Sequence, residues 1–92
     1  MKYEAREIRA AMTANSISTE VLTDYINQEI GKEFKQNTIQ VIIAGTRNNA
    51  EVEKVIEDLL GSWIEGQREV IERFGGSMIP EHVVNERISR GE

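Results

Sequence analysis

Cysteine is absent from this 92-residue chain, and proline, histidine and aromatic residues are scarce. Without cysteine there is no disulfide framework, no thiolate zinc site and no cysteine nucleophile. The one histidine, His82, cannot by itself form a zinc site or a catalytic triad. The one proline, Pro80, lies near the C-terminal end, so proline does not interrupt helix formation over most of the chain.

Long apolar runs are also absent. The longest, at residues 41–44, is far shorter than the roughly 18 residues that a membrane-spanning helix needs. The first residues do not have the pattern of a signal peptide, so we expect a cytoplasmic protein that does not contact membranes. With 39% hydrophobic and 29% charged residues, the composition is that of a globular protein of at most one small domain.

The sequence lacks the residue groups of an enzyme site. Glu65, Glu69 and Glu72 have basic neighbours at helical spacing, which is typical of a solvated helix face rather than of a catalytic carboxylate pair. The segment at residues 45–47 does not have the spacing of a phosphate-binding loop, and no strand is predicted before it. We therefore expect neither enzymatic activity nor a metal or other cofactor.

Apolar residues recur at three- and four-residue spacing along most of the chain, which predicts an all-α fold. Ser18 is the expected N-cap of the second helix, Gly31 and Gly45 are expected to end the second and third helices, and Asn48 or Asn49 is expected to cap the fourth. The predicted helices lie at about residues 2–13, 19–30, 36–44 and 49–60.

Gly61 is expected to end the fourth helix. Ser62 and Glu65 then have the spacing of a capping box, which predicts a fifth helix. The Gly-Gly-Ser segment at residues 75–77 is expected to break the chain before a last short helix that begins at Pro80.

The expected division of the chain is a helix-turn-helix domain at residues 1–61 and a helical extension at residues 62–92. The extension has more apolar surface than a helix added to a four-helix core needs. We expect its larger apolar residues to contact a second copy of the chain or another protein: Trp63, Ile64, Val70, Ile71 and Phe74. The alternative is that the fifth helix only completes the core.

Basic charge is concentrated in one stretch of this acidic protein. Residues 30–50 carry a net charge of +2, whereas the other 71 residues carry −7. Lys32, Lys35 and Arg47 in this stretch can neutralise phosphates. The stretch also contains several amide side chains, which can bind base edges with a donor and an acceptor together: Gln36, Asn37, Gln40, Asn48 and Asn49.

The third helix is expected to present this chemistry on one side. Its apolar face is formed by Ile39, Ile42 and Ile43. The opposite face is slim enough to enter the major groove of DNA. It comprises Asn37, Val41 and Ala44, with Thr38 and Gln40 at its edges. The alternative is a surface helix that is rich in amides and has no nucleic-acid role.

The run QNTIQVIIAG at residues 36–45, followed by Arg47-Asn48-Asn49 and by EVEKVIEDLLG at residues 51–61, resembles the second half of a helix-turn-helix of the phage lambda repressor and Cro type. In that family a glycine ends helices two and three, and helix four ends in leucine-glycine. The resemblance covers residues 2–61, about two thirds of the chain. It implies that Gln36, Asn37, Gln40 and Val41 face base edges, and that Arg47 and Asn48 contact the sugar-phosphate backbone.

The sequence departs from the family at two places. Asn27 stands where the family usually has alanine, and the link between the second and third helices is about two residues longer. We expect Phe34 to fill this longer turn. Thr19 and Thr23 are the candidates for the residue of helix two that contacts a phosphate.

These features predict a sequence-specific transcriptional regulator of the repressor type that binds double-stranded operator DNA, as a homodimer with half-sites one helical turn apart. Two alternatives come from the apolar C-terminal region. One is a small protein-binding adaptor or anti-repressor. The other is an antitoxin whose N-terminal part binds DNA while its tail wraps a toxin.

Overall fold

The computed structural model describes residues 1–75, and these form four α-helices and no strand. The helices are α1 (Ala5–Ala14), α2 (Thr19–Ile30), α3 (Gln36–Ile43) and α4 (Ala50–Phe74). The predicted all-α class is confirmed for this part of the chain, whereas the helix predicted from Pro80 lies outside the described residues. None of the four helices is both long and apolar enough to cross a membrane.

Local capping residues place α2 and α3 close to their predicted positions. At the start of α2, Ser18 Oγ accepts a hydrogen bond from the backbone N–H of Val21 at 3.1 Å. At its end, Gly31 has a φ of +67°, which is the left-handed conformation that favours glycine. Gly45, with a φ of +85°, follows α3 in the same conformation.

The first helix begins at Ala5, three residues later than predicted. Glu4 is its N-cap residue and donates its backbone N–H to Glu7 Oε1 at 2.9 Å. Tyr3 is buried, as its place in the apolar pattern predicts, but it lies in an extended segment outside the helix. Its hydroxyl donates a hydrogen bond to Glu65 Oε2 of α4 at 2.9 Å.

The predicted break at Gly61 is wrong, because α4 continues without interruption from Ala50 to Phe74. Asn49 caps this helix by accepting the N–H of Val52 at 3.1 Å. Gly61 is a packing residue instead, since a Cβ atom there would lie 2.9 Å from Tyr3 Oη. The capping-box spacing that follows Gly61 therefore opens no fifth helix.

The core lies along α4, which contacts each of the other three helices, while α2 also contacts α3. All four helices contribute buried side chains, and Tyr3 adds its ring from the segment before α1. The core residues are Tyr3, Ile8, Ala11, Met12, Leu22, Ile26, Ile39, Ile42, Ile43, Val52, Ile56, Leu60 and Ile64.

An ion pair between a buried carboxylate and a partly exposed guanidinium ties α1 to α4. Glu7 is only 6% exposed, and Arg68 donates to its two carboxylate oxygens from Nε and Nη2, at 2.7 Å each. These hydrogen bonds lower the pKa of the Glu7 carboxyl although burial opposes the shift. The guanidinium also lies 5.0 Å from the centroid of the Tyr3 ring. The pair thus joins α1, α4 and the segment before α1 at one point.

Alanine substitutions at Gly61 and Gly66 test the packing role of Gly61. Inside a helix, alanine is more favourable than glycine by about 1 kcal/mol. A Cβ atom at Gly66 meets nothing within 4 Å, so Gly66→Ala should raise the free energy of unfolding by about that amount. At Gly61 the crowding against Tyr3 costs about 1–3 kcal/mol, so Gly61→Ala should be the less stable variant in urea denaturation.

The Tyr3→Phe background provides the control. Without the hydroxyl, the nearest ring atom is 3.5 Å from the Cβ position, which is an ordinary contact. Gly61→Ala should therefore cost less in this background than in the protein that keeps Tyr3. If Gly61→Ala and Gly66→Ala are equally stable with Tyr3 present, Gly61 has no packing role.

Candidate nucleic-acid interface

Helix α3 buries its isoleucines and leaves its amides on the surface. Ile39, Ile42 and Ile43 are at most 5% exposed. The three amide residues of the helix are exposed: Gln36, Asn37 and Gln40. Of the other residues predicted to lie away from the core, Ala44 is exposed, and two are half-buried: Thr38 and Val41. The helix therefore has the predicted orientation, with its apolar side in the core and its amide side in solvent.

The turn before α3 is closed by the side chain of Asn27. Asn27 Nδ2 donates to the backbone oxygen of Phe34 at 3.0 Å, and the backbone N–H of Phe34 donates to Asn27 Oδ1 at 2.8 Å. The Phe34 ring is half-buried and packs against the core, as predicted. Asn27 thus satisfies both backbone groups of a residue in the longer link, and this fixes where α3 begins.

Basic side chains without an acidic partner gather around α3. Within residues 1–75, five basic side chains lie within 4.0 Å of a carboxylate: Lys2, Arg6, Lys54, Arg68 and Arg73. The other four in this part of the chain form no such pair: Arg9, Lys32, Lys35 and Arg47. Lys32 and Lys35 precede α3, and Arg47 follows it, so three of the four flank the amide-bearing helix.

A groove of about 620 Å³ runs between α1, the start of α2 and α3. One wall consists of residues of α3 and its C-cap at three- and four-residue spacing: Asn37, Gln40, Val41 and Ala44. The opposite wall carries a cation and three hydroxyl groups: Arg9, Thr13, Ser18 and Thr19. Apolar side chains complete the lining: Met12, Ile17 and Ile43. The amide face of α3 therefore borders a concave surface with a positive charge on its far side.

Of the two threonines considered for a phosphate contact, only Thr19 lines the groove. Thr23 is 3% exposed, and its hydroxyl donates to the backbone oxygen of Thr19 at 2.7 Å. The expectation that Thr23 is available for a ligand is therefore wrong, because Thr23 lies inside the bundle, one turn after Thr19 on α2.

The predicted backbone-contacting residues are all exposed. Lys32 and Lys35 lie in the link between α2 and α3, and Lys35 occupies the N-cap position of α3 without a side-chain hydrogen bond to the helix. Arg47 and Asn48 lie in the link between α3 and α4. Cationic side chains thus stand at both ends of α3.

The five residues predicted for a protein interface fall into different environments on α4. Ile64 is fully buried in the core, so for this residue the alternative interpretation holds and no surface remains for a partner. Trp63 and Ile71 are half-buried. Val70 is 49% exposed and Phe74 is 78% exposed, and both lie near the C-terminal end of α4.

Sequence reasoning missed Arg9. Nothing in its neighbourhood along α1 marks it as different from Arg6, one turn earlier. The difference appears only in three dimensions, since Arg6 pairs with Glu4 at 3.0 Å while Arg9 lines the groove opposite α3.

Comparison with protein-family models, with curated proteins and with solved structures finds no match for this chain. The candidate interface is therefore defined by its own residues. Within the described residues, no three side chains of the metal-binding types come together as a metal site.

Substitution of Asn27 tests whether its side chain holds the turn. Asn27→Ala removes both hydrogen bonds and leaves the N–H and C=O of Phe34 without that partner. We expect the free energy of unfolding to fall by about 1–3 kcal/mol in chemical denaturation. Gln28→Ala is the matched control, because Gln28 is an exposed amide on the next residue of α2. Equal stability of the two variants would show that Asn27 does not fix the turn.

Proposed function

We propose that this protein is a DNA-binding transcriptional regulator in which α2 and α3 act as a helix-turn-helix of the lambda repressor and Cro type. The observation that carries the proposal is that three basic side chains with no carboxylate within 4.0 Å among residues 1–75 lie around the exposed amide face of α3. Phosphates attract the cations without regard to sequence, and amides distinguish base edges.

In this mechanism α3 enters the major groove. Its exposed amides contact base edges, and Val41 contacts a thymine methyl group. Lys32, Lys35 and Arg47 contact phosphates on either side, with Asn48 at the same backbone. The acidic remainder of the surface repels nonspecific DNA, so the duplex approaches from the side that carries α3. Regulation then follows from occupancy of an operator and needs no cofactor.

We further propose that the protein binds as a homodimer. One α3 covers only a few base pairs, and two-fold-symmetric operators supply a second set of contacts one helical turn away. The exposed end of α4 supports this arrangement, because Val70 and Phe74 leave apolar surface in water that a second copy can cover.

The same exposed side chains favour a second candidate function, that of a small protein-binding adaptor such as an anti-repressor. In that case the end of α4 binds a different protein, and we expect the protein without that partner to be a monomer. The oligomeric state therefore separates the two candidates.

Selection of short duplexes from a random pool tests the proposed DNA binding. The wild-type protein should enrich a preferred sequence. On that sequence, Gln36→Ala and Gln40→Ala should each weaken binding by about 1–3 kcal/mol, because each removes a base-edge contact. Both side chains are exposed, so the thermal stability of the protein should not change.

Two controls accompany this experiment. Gln28→Ala removes an exposed glutamine that does not border the groove, and it should bind the selected duplex like the wild type. The logarithm of the binding constant should fall against the logarithm of salt concentration with a slope of about −5, for three phosphate contacts from each of two copies. A flat salt response together with no enriched sequence rules out the proposed function.

Phe74→Glu tests the dimer. Because Phe74 is exposed in one chain, the variant should fold normally, but charge in an apolar contact should convert a dimer to a monomer in sedimentation experiments. Affinity for the selected duplex should fall with it. Val21→Glu is the control, since Val21 is 54% exposed on α2 and far along the sequence from the end of α4. A wild-type protein that sediments as a monomer at micromolar concentration would favour the adaptor instead.

A further inference from the structure

The groove between α1 and α3 has a lining that the proposed base contacts leave unexplained. Only its α3 wall carries the amides. The α1 side carries a guanidinium and a hydroxyl, from Arg9 and Thr13, and the start of α2 adds the hydroxyls of Ser18 and Thr19. Guanidinium and hydroxyl groups are donors that proteins commonly direct to phosphate oxygens.

Arg9 differs from the other arginine on the exposed part of α1. Arg6 Nε lies 3.0 Å from Glu4 Oε2, so its charge is balanced within the chain. Arg9 has no carboxylate within 4.0 Å among residues 1–75, and it borders the groove. An exposed cation beside a concave surface attracts an anionic ligand, and the neighbouring hydroxyls can add neutral hydrogen bonds to the same anion.

The apolar part of the lining fits the other component of a nucleic-acid backbone. The half-buried Ile17 lines the groove, and the core residues Met12 and Ile43 reach it with the small parts of their side chains that remain exposed. A free phosphate ion has no carbon atoms that could pack against apolar side chains, whereas the sugar of a nucleotide presents carbon atoms between successive phosphates. The combination of one cation, several hydroxyls and an apolar lining is therefore suited to a sugar-phosphate strand.

The dimensions of DNA place such a strand beside α3. The major groove is about 12 Å wide, and a helix with its side chains is about 10–12 Å across, so a helix in the groove lies next to a phosphate strand on each side. The groove described above runs along the side of α3 that faces α1. A strand flanking α3 on this side comes to the wall that carries Arg9.

We propose that the α1 and α2 wall of this groove binds the sugar-phosphate backbone of one DNA strand, with Arg9 as the cationic contact to a phosphate, while the α3 wall keeps its base contacts. The inference rests on the proposed function, since it requires α3 to enter the major groove. It adds a phosphate contact from α1 to those from the links before and after α3.

Arg9→Ala and Arg6→Ala form a matched pair for the test. Both are exposed arginines of α1 and one helical turn apart, so neither should alter thermal stability much. Arg9→Ala should weaken binding about fivefold to tenfold, equally on the selected duplex and on an unrelated duplex, because a phosphate carries no sequence information. With four phosphate contacts per copy the wild-type salt slope should be about −7 rather than −5, and Arg9→Ala should return it to about −5. Arg6→Ala should leave both quantities unchanged, and Arg9→Lys should restore most of the slope.

Phosphate ethylation interference on the selected duplex gives an independent readout. With the wild-type protein, several ethylated phosphates in each half-site should block binding, and with Arg9→Ala one of these positions should no longer interfere while the others still do. If Arg9→Ala matches the wild type in affinity, slope and interference while Lys35→Ala and Arg47→Ala weaken binding, the groove proposal is wrong and DNA binding stands. If the wild type enriches no duplex and shows no salt response, the proposed function fails and this inference fails with it.

Discussion

The burial of three isoleucines on the eight-residue helix α3 determines which side of that helix faces solvent. Isolated helices shorter than about 12 residues are marginal in water, so α3 depends on packing. Each fully buried isoleucine contributes about 1.5–3 kcal/mol, and rotation of the helix by one residue would lose much of that contribution. Ile39, Ile42 and Ile43 therefore fix the rotation of α3 about its axis. The outward direction of the amides follows from core packing, before any ligand is considered.

For the proposed helix-turn-helix of the lambda repressor and Cro type, Asn27 and the long link before α3 are two departures, and the structure connects them. A small residue at this position suits helices joined by a short turn, where two backbones come close. Here the link is longer, and the Asn27 amide pairs with both backbone groups of Phe34. One side chain thus supplies hydrogen bonds that a shorter turn would not need. The departures are two parts of one local arrangement.

Much of the fold is predictable because its signals are local. Ser18 and Gly31 lie at the two ends of α2 and act on the adjacent helical turn. The apolar spacing of α3 identifies its buried face. Gly61 is misleading because glycine can either end a helix or allow close packing inside one. Here it allows the close approach of Tyr3, which is 58 positions away in the chain, and no pattern within one helix reveals that contact.

Arg9 was not identifiable from sequence for a related reason. The sequence gives the number and positions of charges, but it does not tell which basic residue has a carboxylate within reach. Arg6 and Arg9 are equivalent by spacing and composition, and only the folded chain separates a balanced charge from an unbalanced one. The same limit applies to Ile64, whose apolar character fits a core and an interface equally well.

The continuity of α4 has a mechanical consequence. Its 25 residues form one rod of about 37 Å that contacts α3 and carries the exposed Phe74 at its C-terminal end. A rod without a joint transmits rotation, since rigid helices can carry coupling between distant sites. A partner bound at the Phe74 end would therefore have a fixed orientation relative to α3. Contacts at the C-terminal end of α4 would thus determine the orientation of the whole bundle.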